Sequence, residues 1–443
     1  MKRFIDTLKN IWSIEELRQR ILYTLGFVMV YRLGSFVVLP GVDVTVLEQM
    51  TQSSDQRGLV GLINMFAGGA FLRASVFGLG IMPYITASII IQLLTMAVPL
   101  FQKLQKEGES GRKKLNQYTR LLTIVVTTVQ APGYLASLKA TAPNAFLNNS
   151  SFWWFQSILI LVTGTMFVMW LGERITDRGL GNGISLIIMI GIIARLPFAF
   201  LTEINSRLTG SGGLIIFLIE IVFLVLVVIA SILLVQGTRR IPVQFAKKII
   251  GNKQYGGVRQ YLPLKVNAAG VMPIIFAQAI MFIPSAIAGY TNMSGGIFNE
   301  RYGFWYNFIF AILIIVFTYF YTAIMVNPTM LADEMKRNGG FIPGVPAGKK
   351  TAEFIDRVMN RITLPGSIFL AFVAIMPALA QKMGVNSAFA DFYGGTSLLI
   401  LVGVILDTLQ QIETYLLNRH YDGLMKSGRI KGRSSGAMIM QQA

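Results

Sequence analysis

The sequence predicts an all-α polytopic membrane protein with ten transmembrane helices, and three observations carry that expectation. Of 443 residues, 53% are hydrophobic and only 14% charged, against about 25% charged in soluble domains. Apolar runs long enough to cross about 30 Å of hydrocarbon recur along the whole chain. Finally, 31 of the 39 lysines and arginines fall in alternate connecting segments, on one side of the membrane that a ten-span count defines. One miscounted span would mix the two sets, and by the positive-inside rule the basic side is the cytoplasm, which takes both termini.

In chain order the first run, 19–38, is interrupted by Arg32 and reads as a retained first helix: it is long for a signal peptide, and no small-residue cleavage site follows it. The others are 80–100, 121–138, 152–171, 184–201, 214–235, 268–289, 304–326, 362–380 and 394–417. They divide into halves of five spans, 1–205 and 206–443, so the second half is inverted relative to the first. Each half has a Gly-, Pro- or amide-bearing stretch, 58–100 and 262–289. That pairing fits an inverted repeat around a central path, and it equally fits chance, because Gly and Pro are common in membrane helices.

Segment 58–74, GLVGLINMFAGGAFLRA, is too short to span and carries Asn64, Gly68, Gly69 and Arg73. It reads as a re-entrant element on the non-cytoplasmic side, or as an amphipathic helix on that surface. Loop 237–265 holds seven basic residues and no acidic ones; loop 326–361 holds six basic and four acidic. Gly256-Gly257, Gly339-Gly340 and Pro343-Gly344 punctuate them, which suggests ordered hairpins presenting cations to RNA phosphates or to an acidic protein.

The chain has no cysteine and one histidine, His420. Thiolate catalysis, Cys-ligated metals, disulfides and His-based acid/base pairs are excluded, and no metal, cofactor or enzymatic activity is expected. A secondary transporter for a small solute is the main rival reading, and an intramembrane enzyme the second. A transporter usually sets ionisable residues at mid-membrane; Arg32, Glu220 and Asp407 are the few candidates and form no central cluster in sequence, and an enzyme would need an Asp pair on facing spans.

The runs GLGIMPYITASIIIQLL (78–94), KEGESGRKK (106–114), GNGIS (181–185), LPLKVNAAGVMP (262–273) and YGGTSLLI (393–400) resemble the signature segments of the SecY family, in the family's order and across almost the whole chain. The resemblance implies an hourglass channel between two five-helix halves, hinged near spans 5 and 6, in the bacterial cytoplasmic membrane. Such a channel moves unfolded secretory proteins across and releases hydrophobic segments sideways into lipid. By motif, the constriction would be Ile81 and Ile85, Ile184 and Ile188, Ile275, and Ile400. A narrow apolar collar dewets and blocks ions, yet offers a passing peptide no hydrogen bonds, and β-branched side chains keep it stiff.

Segment 58–74 resembles the family's plug, with Asn64, Phe66, Gly68, Gly69 and Arg73 as its marked residues and the glycines supplying bend and close packing. Gln92, Thr119 and Asn267 match a polar cluster on the lateral gate between spans 2–3 and 7–8. Arg239 and Arg240 match the basic pair after span 6, and Lys247, Lys248, Lys349, Lys350 and Arg357 extend the cytoplasmic docking surface. Pro346 stands where the family usually has a basic residue after its Pro-Gly turn, so less charge is expected there. The implied partners are SecE-type and SecG-type small subunits, a SecA-type motor ATPase, the ribosome, signal sequences with their unfolded preproteins, and the lipid bilayer.

Overall fold

The computed structural model describes residues 11–47, 64, 66–147, 150–209, 213–245, 248–250, 253–255, 259–278, 280–281 and 302–426. The protein is helical almost throughout. Helix α1 spans Glu15–Gly34. It is followed by α2 (Met82–Ala97), α3 (Pro99–Lys106), α4 (Glu109–Thr141), α5 (Ser151–Arg178), α6 (Gly183–Thr209) and α7 (Gly213–Gln236). Further on come α8 (Phe304–Met325), α9 (Pro328–Arg337), α10 (Lys349–Lys382), α11 (Ser387–Ala390) and α12 (Gly395–Lys426).

Among the described residues, seven helices are long and apolar enough to cross a membrane, and α2 with α3 makes an eighth if that pair is one span bent by 100°. Of the other two expected spans, the first is α1, whose Glu15, Glu16, Arg18, Arg20 and Arg32 dilute its hydropathy. The seventh is helical at 272–278 and 280–281, and its remainder lies outside the described residues.

Two of the expected cytoplasmic loops are largely helical. The α2–α3 corner arises at Val98, which is extended (φ −112°, ψ 120°) because the following Pro99 disfavours the α region. Pro328 opens α9 at its first position, where the missing N–H is no loss, and the Asn327 side chain accepts from the N–H groups of Thr329 and Met330. At about 1.5 Å per residue, the 34-residue α10 runs some 50 Å, well beyond the hydrocarbon. Its first turns, with Lys349, Lys350, Glu353, Asp356, Arg357 and Arg361, therefore project into water.

Loop 237–265 forms the β-structure that its glycine punctuation suggested. Strand β1 (Thr238–Phe245) pairs antiparallel with β4 (Arg259–Lys265), placing Arg239 opposite Leu264 and Pro242 opposite Tyr261. Short strands β2 (Lys248–Ile250) and β3 (Lys253–Tyr255) pair with each other. Strand β5 (Gly340–Phe341) adds to the other edge of β1, fastening loop 326–361 to loop 237–265. Ile241 and Leu264 on the inner face pack with Ile342 and with Ile355 and Met359 of α10.

Among the described residues, three large clusters hold most of the helices together. One is drawn from residues between Leu39 and Leu161, another from residues between Phe223 and Leu406. The central one takes residues from α1, α5, α6 and α12 as well as from turns 66–81 and 385–393. Helix α2 packs on α4, α4 on α5 and α5 on α6; α8 packs on α10; α6 packs on both α7 and α12.

Candidate functional site

The central core contains Ile81, Ile188 and Ile400, all buried, with Ile85 and Ile184 packed against it half-buried. Three separate elements supply them: the start of α2, the first two turns of α6 and the first turns of α12. Spacings of four residues (81/85, 184/188) put each pair on one helical face. Five of the six residues proposed for the constriction thus meet in one apolar cluster. Ile275 is not among them. Its neighbour Ile274 is fully buried in the core of α7, α8, α10 and α12, and Val271, in the turn just before this helix, packs on both that core and the central cluster.

Phe66 of the plug segment belongs to the same cluster. Around it the chain runs as consecutive turns from Ala67 to Ile81. The buried Asn64 ties them together: its carbonyl accepts from Gly69 N–H at 2.8 Å and its side-chain Oδ1 from Leu72 N–H at 3.1 Å. Gly68 and Gly69 both have positive φ, +63° and +90°, which favours glycine. Only Gly68 also needs its missing side chain, because a Cβ there would lie 3.0 Å from Gly191 Cα on α6. Arg32 of α1 donates from Nη1 to Gly68 O at 3.0 Å. The Arg32 and Arg73 guanidiniums stand 5.3 and 4.6 Å from the Phe36 ring centre. The Tyr134 hydroxyl donates to Phe71 O at 2.6 Å.

The proposed gate residues are not joined to one another. Gln92 reaches across a seam: the Tyr321 hydroxyl of α8 donates to its Oε1 at 2.5 Å. Ile89 and Leu93 of α2 flank that bond and pack with Met272, Phe276 and Phe317. Thr119 is buried, but its hydroxyl donates back to Leu115 O at 2.9 Å within α4, as threonines in helices commonly do. Thr123 and Thr127 repeat the pattern one and two turns on. Asn267 Oδ1 is buried and has no hydrogen-bond partner.

Arg239, Arg240, Lys349, Lys350 and Arg357 are all exposed, and the β1–β5 pairing holds their two loops together. Lys247 lies outside the described residues, and Lys248 is described only as the first residue of β2. Pro346 is exposed, and its carbonyl accepts from Thr351 Oγ1 at 2.8 Å, capping the approach to α10.

Glu220 is engaged structurally. Arg207 of α6 bonds Glu220 of α7, donates to Glu203 Oε1 at 2.8 Å and to Gly384 O at 2.6 Å. Glu203 Oε2 in turn accepts from Asn386 N–H at 2.9 Å. These buried charges weld the turn between spans 5 and 6 to the segment before α11. No cluster of His, Cys, Asp or Glu able to hold a metal occurs among the described residues.

Tyr321, Gly191 and the Arg207 network escaped the sequence reading. A tyrosine or a glycine in an apolar run carries no local mark, whereas Arg32 was conspicuous as a charge in a span, although its partner was not legible.

The SecY family model matches residues 75–409. A protein translocase subunit SecY of Streptomyces scabiei is 42% identical, covering 93% of this chain and 97% of that one. A solved protein-conducting channel superposes with TM-score 0.61 at 17% identity, covering 93% and 94% of the two chains. Sec61 from a canine ribosome–channel complex of the endoplasmic reticulum gives TM-score 0.58 at 17% identity over the same shares. An Ile-rich apolar cluster that a Gly-bent segment joins through Phe66, in a helical membrane protein with these relatives, leaves one assignment: the chain belongs to the SecY family, the pore-forming subunits of protein-translocation channels.

Proposed function

We propose that unfolded secretory proteins cross this chain through the isoleucine cluster and that hydrophobic segments leave sideways through the Gln92–Tyr321 seam. The observation that carries the reading is the convergence of Ile81, Ile85, Ile184, Ile188 and Ile400 from three elements, with Phe66 against them. A collar of that chemistry excludes water and ions at rest and gives way to a polypeptide without binding it. It suits no polar solute, and Glu220, one of the few candidates for a transporter's ion site, is held in a salt bridge.

The halves 1–205 and 206–443 would part around this path, with α6, α7 and α12 staying in contact as the hinge side. The strong basic bias puts both termini, the β1–β4 hairpin and the start of α10 in the cytoplasm, and the membrane is the bacterial cytoplasmic membrane. There the exposed arginines and lysines of the two joined loops would meet a SecA-type motor or a ribosome, with SecE-type and SecG-type subunits completing the channel. The test is reconstitution into proteoliposomes with those subunits, the motor ATPase and a signal-bearing precursor. Protease-protected product that requires this chain is the expected result. Its absence with a motor that drives a known channel in parallel contradicts the proposal.

A further inference from the structure

We propose that Arg32 and Gly191 form the latch that seats the plug: a charged hydrogen bond from α1 and a backbone-to-backbone contact from α6. The inference rests on the plug reading of 58–74 and goes beyond it in assigning residues outside that segment. Arg32 lies in the last turn of α1 and donates to Gly68 O at 3.0 Å. Gly191 lies on α6, one residue before Ile192 and one turn beyond Ile188 of the proposed collar.

A Cβ on Gly191 would lie 2.6 Å from Phe66 O and 3.2 Å from Gly68 N. Both are backbone atoms, so no side-chain rotation relieves the contact and the plug itself must shift. A Cβ on Gly68 meets the reverse of the same fit, 2.9 Å from Arg32 Nη1 and 3.0 Å from Gly191 Cα. Phe66, whose carbonyl marks the contact, is the plug's apolar anchor in the central core. Loss of the fit at Gly191 therefore lifts the residue that covers the isoleucines. Arg32 uses one donor here and no bidentate fork, so a lysine can keep the charge and the bond.

Accessibility of the plug tests this without requiring transport. The native chain has no cysteine, so Ala67→Cys, at a site only 2% exposed, reports alone. It is labelled with an impermeant maleimide from the outer side, in the assembled channel with no precursor. Arg32→Gln should raise the labelling rate at least about tenfold, the size expected for losing a hydrogen bond to a charged group, and Gly191→Ala should raise it as well, because the added Cβ displaces the plug backbone. Arg32→Lys should stay near the parent. Resting ion conductance in planar bilayers should rise in parallel.

Unchanged labelling in a monodisperse Arg32→Gln protein overturns the hydrogen bond, and so does an equal rise in Arg32→Lys. Unchanged labelling in Gly191→Ala overturns the backbone contact. A rise in labelling with no rise in conductance leaves the latch standing and removes the sealing role of the plug, so failure of the inference and failure of the functional reading are distinguishable.

Discussion

Tyr321 on α8 donates a 2.5 Å hydrogen bond to Gln92 on α2, joining the two halves of the chain directly where Ile89, Leu93, Phe276 and Phe317 pack. On the proposed function, the bond sits in the seam that an emerging hydrophobic segment would part. Interhelical hydrogen bonds in membranes contribute about 0.6 kcal/mol each on average. Tyr321→Phe should therefore raise the open population about threefold, read as faster cross-linking of a weakly hydrophobic signal sequence to α2. Gln92→Leu should do the opposite, because leucine packs in the closed seam with Ile89 and Leu93 and gains nothing from water when it opens. Both variants moving the same way would contradict a gating role for the pair.

The Arg207 network gives a stability prediction. Arg207→Met leaves the buried Glu203 and Glu220 carboxylates facing each other without their cation. Breaking a buried ion pair by removing one partner costs about 3–5 kcal/mol, so thermal unfolding in detergent should begin at clearly lower temperature. The triple replacement Glu203→Gln, Arg207→Met, Glu220→Gln should recover much of that loss. A single variant as stable as the parent would show that the network does not fasten the turn between spans 5 and 6.

On the cytoplasmic face, Arg239→Glu with Arg240→Glu should weaken motor or ribosome binding, and more so at low salt, since exposed charges are screened over roughly 8 Å at physiological ionic strength. Both side chains stand exposed at the start of β1 while Ile241 and Val243 face inward, so the hairpin should survive the change. Equal affinity in a direct binding assay would reduce the pair to topology signals.

Single cysteines at Arg240, Lys350 and Glu109 should react with an impermeant maleimide only from the cytoplasmic side. Labelling of Arg240→Cys from outside would overturn the orientation.

The spans were legible because twenty consecutive apolar residues admit few other structures, and the β-structure of loop 237–265 because glycine and cations punctuate that stretch of sequence. The convergence of the isoleucines was legible only through their motifs: nothing local distinguishes Ile188 in the central core from Ile193, which is 40% exposed. Contacts that depend on which helix lies opposite could not be read at all. Gln92 was singled out for a polar cluster and instead found Tyr321, far along the chain. Thr119 satisfied its own helix, an outcome that i−4 back-bonding makes available to any helical threonine.

The central claim is that polypeptide passes through the isoleucine cluster, and cross-linking of a stalled precursor measures that most directly. Single cysteines at Ile85, Ile188 and Ile400 should each form a disulfide with a cysteine in the mature part of the precursor. A cysteine at Val129, 73% exposed on α4, should face lipid and form none. Cross-links at Val129, or none at the three isoleucine positions in a channel that still translocates, would contradict the assignment.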